Sequence, residues 1–227
     1  FVAAVSHEMK TPIAGIQAMA ELLADGRVPD PARAHAYAER IRAEASRLGA
    51  GVRNVLDAAR IERDPSSVVR PVPTEPSALV LDLASVLRPV LEGRGFRFTV
   101  DARPSPRPIP IDPDAFGSVV GNLLDNAAKF MGAQKDPEIE VGCRGKDARS
   151  LSVFFIRDNG IGIDPAYREK VFGLFDKLDR KTEGTGIGLA LVKRIVQVHG
   201  GRVWIEAPEG TDVGTTVCFS LPEPPVL

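Results

Sequence analysis

The chain has 227 residues, of which 44% are hydrophobic and 26% are charged, and its formal net charge is −1. This balance is typical of a folded globular protein and excludes a disordered chain. Near-neutral charge without a long basic run excludes a nucleic-acid-binding protein. Cys143 and Cys218 lie far apart in apolar segments, so we expect free, buried thiols. No apolar run is long enough for a membrane span, and no signal peptide is visible.

Two long helices are predicted at the N-terminus, on either side of a turn at residues 26–30. Apolar residues recur at spacings of three and four in both segments: Val2, Val5, Met9, Pro12, Ile16, Met19 and Leu23, then Ile41, Ala45, Leu48, Val52, Val55 and Ala59. This spacing is typical of helices that pack at a shallow angle in bundles. Because two helices alone cannot close a core, we expect a homodimeric four-helix bundle formed through residues 1–62.

The pattern changes after a proline-rich linker at residues 65–73, where Pro65 is expected to end the second helix. We therefore expect a helical domain at 1–64 and a second domain at 74–227. Helices are predicted at 79–91, 112–131 and 185–199, and strands at 96–102, 138–144, 151–158, 202–207 and 215–221. A proline-rich loop is predicted at 103–110 and a loop-rich segment at 159–183. Helices grouped against mostly antiparallel strands indicate an α+β sandwich.

The predicted helix at 112–131 carries a polar stripe. Asn122, Asn126 and Lys129 are spaced by four and three residues, so they share one helix face, and the apolar residues occupy the opposite face. Amide oxygens can bind Mg²⁺, and a lysine can hold phosphates as a point charge. On its own, such a stripe is more often a solvated surface.

Two glycine-containing clusters follow. Asp158, Gly160 and Gly162 come directly after a predicted strand, where glycines allow a planar ring to approach the backbone and Asp158 could accept a hydrogen bond from an exocyclic amine. Gly184, Thr185, Gly186, Gly188 and Leu189 open a predicted helix, whose N-terminal N–H groups could bind phosphate. Each cluster is weak evidence alone, because Asp-Asn-Gly is a common turn and a run of three glycines is not a P-loop.

A further string, residues 6–12, lies on the first helix. His7 is predicted to point away from the apolar seam, and neutral imidazole is a good phosphoryl acceptor. Glu8 could orient the ring, and Thr11 lies one turn further on the same face. A solvent-exposed helical histidine is usually only a surface residue. The other two histidines are interpreted as structural: His35 lies early in the second helix, and His199 ends a helix, where the helix dipole favours it.

In order and spacing, these clusters resemble the sequence boxes of histidine kinases. The string at 6–12 resembles the His-Glu-x-x-Thr-Pro box. The others resemble the N, G1, F and G2 boxes of the ATP-binding domain, a superfamily that includes gyrase, the mismatch-repair ATPase and the large heat-shock chaperone. The resemblance implies a Bergerat-type fold over residues 74–222, ATP and Mg²⁺ as cofactors, and autophosphorylation of His7 followed by transfer to an aspartate in the receiver domain of a response regulator. It also implies that Thr11 assists dephosphorylation of that regulator.

The resemblance also assigns roles to single residues. Asn126 would be the main Mg²⁺ ligand with support from Asn122, Lys129 would hold the phosphates, Phe130 would pack on the adenine, and Asp158 would bind its amino group. Phe172 and Phe175 would anchor a lid over residues 164–183. The remaining residues that the resemblance assigns to nucleotide binding are Gly160, Gly162, Gly184, Thr185, Gly186, Gly188 and Leu189.

The sequence departs from the family pattern in the lid. Lys177 stands where an arginine often grips the γ-phosphate, and a lysine is a point charge rather than a two-pronged donor. Gly173 stands where an acidic residue is common. The lid is therefore expected to differ more from the family than the pocket does.

Two other function classes fit the sequence less well. An ATP-driven conformational machine would need a carboxylate to activate water, but the position four residues before Asn126 is Asn122 and not a glutamate. A scaffold that binds ATP without chemistry would be expected to lack one of the boxes. We expect a cytoplasmic bacterial protein fragment whose upstream sensory region is missing, with membrane attachment only if that region supplies it.

Overall fold

The N-terminal part of the chain is a helical hairpin. The computed structural model describes residues 2–63, 70–102, 108–146, 151–173, 186–206 and 213–222. Helix α1 spans Val2–Ala24 and helix α2 spans Pro31–Arg63. Gly26 has a φ of 66°, Arg27 N–H donates to Leu22 O at 3.1 Å, and Gly26 N–H donates to Leu23 O at 3.2 Å. This Schellman motif ends α1 and turns the chain back.

The second part is an α+β sandwich. Its elements in chain order are β1 (Val72–Thr74), α3 (Pro76–Gly93), β2 (Arg97–Ala102), β3 (Ile109–Ile111), α4 (Pro113–Lys129), β4 (Glu138–Lys146), β5 (Ser152–Asp158), α5 (Gly188–Val198), β6 (Arg202–Glu206) and β7 (Thr215–Leu221). Two short 3₁₀ turns, Pro165–Tyr167 and Lys170–Phe172, lie between β5 and α5. The main sheet has the order β2-β4-β5-β7-β6, and β1 pairs with β3 in a separate small sheet.

Carboxylates cap the two helices that precede the site. Glu75 accepts hydrogen bonds from the N–H groups of Ser77 and Ala78 at the start of α3. Asp112 does the same at the start of α4 and also accepts the N–H of Arg70 at 2.6 Å. Side-chain capping satisfies donors that a helix leaves unpaired. The Asp112 contact also ties the segment that enters this domain to the first turn of α4.

The helices cover one face of the main sheet, where the core lies. Phe116 from α4 packs against Phe154 and Phe219 of the two central strands, with ring centroids 5.0 and 5.8 Å away. Phe154 and Phe219 stack at 5.1 Å. Both cysteines are free and buried, as predicted. This core holds α4 and α5 against the sheet.

The predicted elements occur in the predicted order, with differences at particular places. β3 lies inside the segment predicted to be a proline-rich loop, because its partner β1 supplies the hydrogen bonds. β1 itself begins inside the predicted linker. Helix α5 begins at Gly188 and not at residue 185. β2 pairs with β4 in parallel, so the sheet is mixed, while the other pairings are antiparallel.

Within the parts of the chain that the structure describes, none of the helices has the length and apolar character that crossing a bilayer requires.

Candidate functional site

The polar stripe on α4 lies on the face opposite the core, as predicted. The core face is buried, with Val119, Leu123, Leu124 and Ala127 each 4% exposed or less. On the other face Asn122 and Asn126 are half-buried and Lys129 is exposed. The two amides are therefore partly shielded from solvent, while the lysine at the end of the helix is open to it.

Asn122 connects α4 to the start of α5. Its Nδ2 donates to Ser118 O, one turn earlier, at 2.8 Å. Its Oδ1 faces Gly188, where a Cβ would lie 2.8 Å from that oxygen. Real Cβ atoms essentially never approach so closely. Glycine at position 188 thus allows the start of α5 to lie directly against Asn122.

The start of α5 differs from the starts of α3 and α4. Its N-cap residue is Ile187, which is 1% exposed and provides no side-chain hydrogen bond. Gly186 precedes it and Leu189 follows in the first turn, and both are half-buried. A helix of this length without a side-chain cap has N–H donors that a phosphate can accept.

Asp158 is the last residue of β5, and its side chain bonds to the backbone of the following loop. Its Oδ1 accepts the N–H of Gly160 at 2.9 Å, and Gly162, two residues further on, is half-buried. Burial raises the pKa of Asp158 to about 6, while hydrogen bonds from the backbone of Gly160 and Thr215 act in the opposite direction. A carboxylate in this setting still has acceptor capacity for a further donor.

Gly214 and Thr215 complete the surroundings of Asp158, and the sequence analysis did not select them. Gly214 has a φ of 99°, and a Cβ there would collide with Asp158 O. Thr215 is 7% exposed and pairs with Asp158 across β5 and β7. The available signal was a glycine directly before a strand, which indicates a close approach of another backbone.

Asn159, the middle residue of the Asp-Asn-Gly turn, has a structural role. Its Oδ1 accepts the N–H of Glu138 at 2.8 Å, and its Nδ2 donates to Asp136 O at 2.8 Å. These bonds attach the loop after β5 to the segment that enters β4.

The end of α4 lies against the same loop. Ile161 N–H donates to Phe130 O at 3.0 Å. Lys129 Nζ lies 4.7 Å from the centroid of the Phe130 ring. The structure therefore places α4 in contact with the Asp158 loop, at Phe130, and with the start of α5, at Asn122.

The structure does not describe all of the residues that the sequence assigns to the nucleotide site and lid. Phe175, Lys177, Gly184 and Thr185 lie outside the described residues. Phe172 is 6% exposed and belongs to the core.

His7, Glu8 and Thr11 are part of α1, on the separate hairpin, and their side chains lie outside the described set.

Two family models match the chain. The His Kinase A (phospho-acceptor) domain matches residues 1–64. The histidine kinase-, DNA gyrase B-, and HSP90-like ATPase domain matches residues 111–225. The first match contains the string around His7, and the second contains the three contacting segments described above.

Relatives match over nearly the whole chain. It is 40% identical to the methanogenesis regulatory histidine kinase FilI of Methanothrix harundinacea (strain 6Ac), over 99% of this chain and 24% of FilI. It is 32% identical to the sensor protein SrrB of Staphylococcus aureus (strain NCTC 8325 / PS 47), over 99% of this chain and 38% of SrrB. The chain therefore spans less than half the length of these relatives.

Solved structures agree on the fold. The mycobacterial sensor histidine kinase MprB has a TM-score of 0.55 and 29% identity, over 70% of this chain and 100% of that one. The histidine kinase ThkA, solved in complex with the response regulator TrrA, has a TM-score of 0.76 and 22% identity, over 99% of this chain and 61% of that one. The chain therefore belongs to the histidine kinase family, and it comprises the transmitter core, a helical phospho-acceptor hairpin followed by an α+β ATPase domain.

Proposed function

We propose that this chain binds ATP with Mg²⁺, phosphorylates itself on His7 and passes the phosphoryl group to an aspartate of a response regulator. The observation that supports the proposal most directly is that α4, which carries the polar stripe, contacts both the Asp158 loop and the start of α5. An adenine acceptor, amide ligands and uncapped helix donors then lie around one place. The proposed domains are 1–64 for phosphotransfer and dimerisation and 74–227 for ATP binding, joined by 65–73.

The residues present fit the nucleotide and the metal. Asn126 offers an amide oxygen, a hard donor suited to Mg²⁺, and Lys129 offers a positive charge to the phosphates. Asn122 has its Nδ2 engaged with Ser118 O and its Oδ1 against Gly188, so it would support the metal site from beside Asn126. Asp158 would accept the adenine amine. Mg²⁺ would supply charge neutralisation to the phosphates.

We further propose that Phe130 packs on the adenine and that Leu189 lines the pocket. Backbone donors from the glycine-rich segment that opens α5 would bind the phosphates, and Lys177 would reach the γ-phosphate from the lid. The glycine-rich segment comprises Gly184, Thr185, Gly186 and Gly188, and Phe175 would anchor the lid.

The proposed transfer forms one bond and breaks another. An unprotonated ring nitrogen of His7 donates its lone pair to the γ-phosphorus, forming an N–P bond. The bond from that phosphorus to the β–γ bridging oxygen breaks, and ADP leaves with the electron pair. Glu8 would hold the proton on the other ring nitrogen and stabilise the positive charge that develops there.

The experiment that tests the function is direct. The purified chain, incubated with γ-labelled ATP and Mg²⁺, is expected to acquire a label that is lost in acid and kept in base, because a phosphohistidine N–P bond is acid-labile. A label that survives acid, or no label, would refute the proposal.

A response regulator is the proposed partner. ThkA, which shares the fold, was solved in complex with the response regulator TrrA. The receiver domain would present its aspartate to phospho-His7 on the hairpin, and Thr11 would assist the reverse loss of phosphate. We propose that this part of the protein acts in the cytoplasm, where ATP would be available to it.

The hairpin is expected to dimerise. Ile13, Val52 and Leu56 are 43%, 40% and 49% exposed in the single chain, so the hairpin has apolar surface that a second copy would bury.

Light scattering should give twice the chain mass of 24.4 kDa. Ile13→Glu should give a monomer, because it buries an unpaired charge at the interface. Val86→Glu, at an exposed position of α3, is the matched control and should stay dimeric. If the Ile13→Glu protein is still a dimer, the interface does not include this face of the hairpin.

Asp158→Asn is expected to weaken ATP binding by about 5- to 150-fold, the range for losing a hydrogen bond at a buried polar group. The amide can keep the Gly160 N–H bond through its oxygen, but it then presents an NH₂ group to the adenine amine, donor against donor. Calorimetric titration with a non-hydrolysable analogue measures the loss. Wild-type affinity in this variant would mean that the adenine is bound elsewhere.

Although Asp158→Asn is expected to weaken ATP binding, it should make the folded protein more stable at neutral pH. Because the pKa of Asp158 is raised to about 6 in the folded protein, the folded state binds its proton more tightly than the unfolded state does. The contribution of Asp158 to the free energy of unfolding therefore falls as pH rises from about 4 to about 6. Asp158→Asn should melt at a higher temperature than wild type at pH 7.5, and this difference should shrink at pH 4. ATP affinity of the wild type should fall below pH 6.

A further inference from the structure

The segment that follows α4 lies directly on the loop after β5. Besides the hydrogen bond from Ile161 N–H to Phe130 O at 3.0 Å, the two backbones touch at Gly160. A Cβ there would lie 2.5 Å from Phe130 O and 3.1 Å from the Cα of Met131. Met131 is itself 5% exposed and part of the core. The segment therefore cannot move away to make room for a side chain.

A second close contact between the same two segments is made by Gly132, which follows α4. Gly132 has a φ of 69°, and a Cβ at this position would lie 2.7 Å from Ile161 Cγ2. Each backbone thus contributes one glycine to the contact, Gly132 from the α4 side and Gly160 from the loop. Gly95 offers a comparison in the same domain, because it has a φ of 85° and nothing within 4 Å of an added Cβ.

The contact joins the two ends of the proposed nucleotide site. Asn126 and Lys129 lie on α4, immediately before it, and would bind the metal and the phosphates. Asp158 lies in the loop, immediately before it on the other side, and would bind the adenine. We propose that the close backbone contact at Gly132 and Gly160, closed by the Ile161 N–H bond to Phe130 O, forms a clasp that positions the adenine end of the site against the phosphate end. This inference rests on the proposed ATP-binding function.

The clasp has a specific expected consequence for binding. ATP engages both ends at once, so its affinity depends on the distance between them, whereas adenosine engages the adenine end alone. A change that separates the two segments should therefore reduce the advantage of ATP over adenosine. Adenosine affinity should fall less than ATP affinity, because Asp158 keeps its bonds to Gly160 and Thr215 and only the packing of Phe130 on the adenine depends on the α4 side.

The experiment measures the ratio of the affinity for a Mg²⁺-bound, non-hydrolysable ATP analogue to the affinity for adenosine, by competition with a fluorescent ATP derivative. Gly132→Ala should lower this ratio by about tenfold, the size of effect expected when one polar contact to the phosphates is weakened. Gly95→Ala carries similar backbone strain without the collision, so it should lower the melting temperature and leave the ratio unchanged.

A second-site change provides the rescue. Ile161 takes part in the clasp through its backbone N–H, which alanine keeps, and its side chain is 63% exposed, so Ile161→Ala alone should change little. Combined with Gly132→Ala, it removes the Cγ2 atom that collides and should return the ratio to within about threefold of the wild type, while the strain shared with Gly95→Ala remains. A merely structural role for Gly132 would move the melting temperature without this rescue of the ratio.

The outcomes distinguish a failure of the clasp proposal from a failure of the proposed ATP-binding function. Equal ratios in Gly132→Ala and Gly95→Ala, or no rescue by Ile161→Ala, would overturn the clasp while leaving the nucleotide site intact. A wild-type protein that does not bind the ATP analogue would overturn the proposed function itself. If Gly132→Ala does not fold, Gly132→Asn and Gly95→Asn replace the pair, because asparagine tolerates positive φ better than alanine does and still adds a Cβ.

Discussion

His7→Gln protein is expected to remain unlabelled after incubation with γ-labelled ATP and Mg²⁺, while the wild type becomes labelled. Glutamine has a similar length and polarity but no lone pair on a basic nitrogen, so no N–P bond can form. His7 is located on α1 and the proposed nucleotide site is located between α4, α5 and the loop after β5. ATP affinity should therefore stay within about twofold of the wild type, a difference of less than ~0.5 kcal/mol.

His35→Gln is the matched control for this experiment. His35 is an exposed histidine on the same hairpin, in α2. Loss of labelling in His7→Gln but not in His35→Gln assigns the acceptor to one position. Labelling that persists in His7→Gln, with ATP binding intact, would show that another residue accepts the phosphoryl group. Loss of labelling together with loss of ATP binding would indicate a folding defect, which the melting temperature detects.

The order of elements could be predicted from the sequence because the apolar spacing is strong in the longer segments. The α4 stripe is an example, since Asn122, Asn126 and Lys129 share a face only if the segment is helical, and the buried residues lie opposite them. The free, buried cysteines were predictable for the same reason. Each of these conclusions depends on local pattern, which a single sequence contains.

The features that sequence reasoning missed depend on long-range contacts. β3 is three residues long and contains a proline, so its strand character comes from its partner β1, far away in the chain. The parallel pairing of β2 with β4 is a property of topology that side-chain alternation does not encode. Gly132 and Gly214 look like turn glycines in the sequence, and only the fold reveals that Ile161 and Asp158 lie against them.

Thr11 offers a way to separate the two activities proposed for the hairpin. Autophosphorylation needs the His7 ring and Glu8, with ATP supplied by the second domain. Dephosphorylation of an aspartyl phosphate needs a water molecule aligned with the bond that breaks, held by a small polar group near the histidine. Thr11 lies one helical turn after His7, so the two residues share a face of α1. We propose on this spacing that the Thr11 hydroxyl holds that water.

Thr11→Ala is accordingly expected to leave autophosphorylation within a few-fold of the wild type and to slow phosphate loss from the phosphorylated regulator by about 10²-fold, the low end for a positioned catalytic group. Both rates can be followed with labelled protein, the second after removal of ATP. Thr11→Ser keeps the hydroxyl and should retain most of the dephosphorylation. The competing interpretation is that Thr11 stabilises the helix before Pro12 by bonding locally. In that case Thr11→Ala would impair both activities equally or dissociate the dimer, and the catalytic role would be refuted.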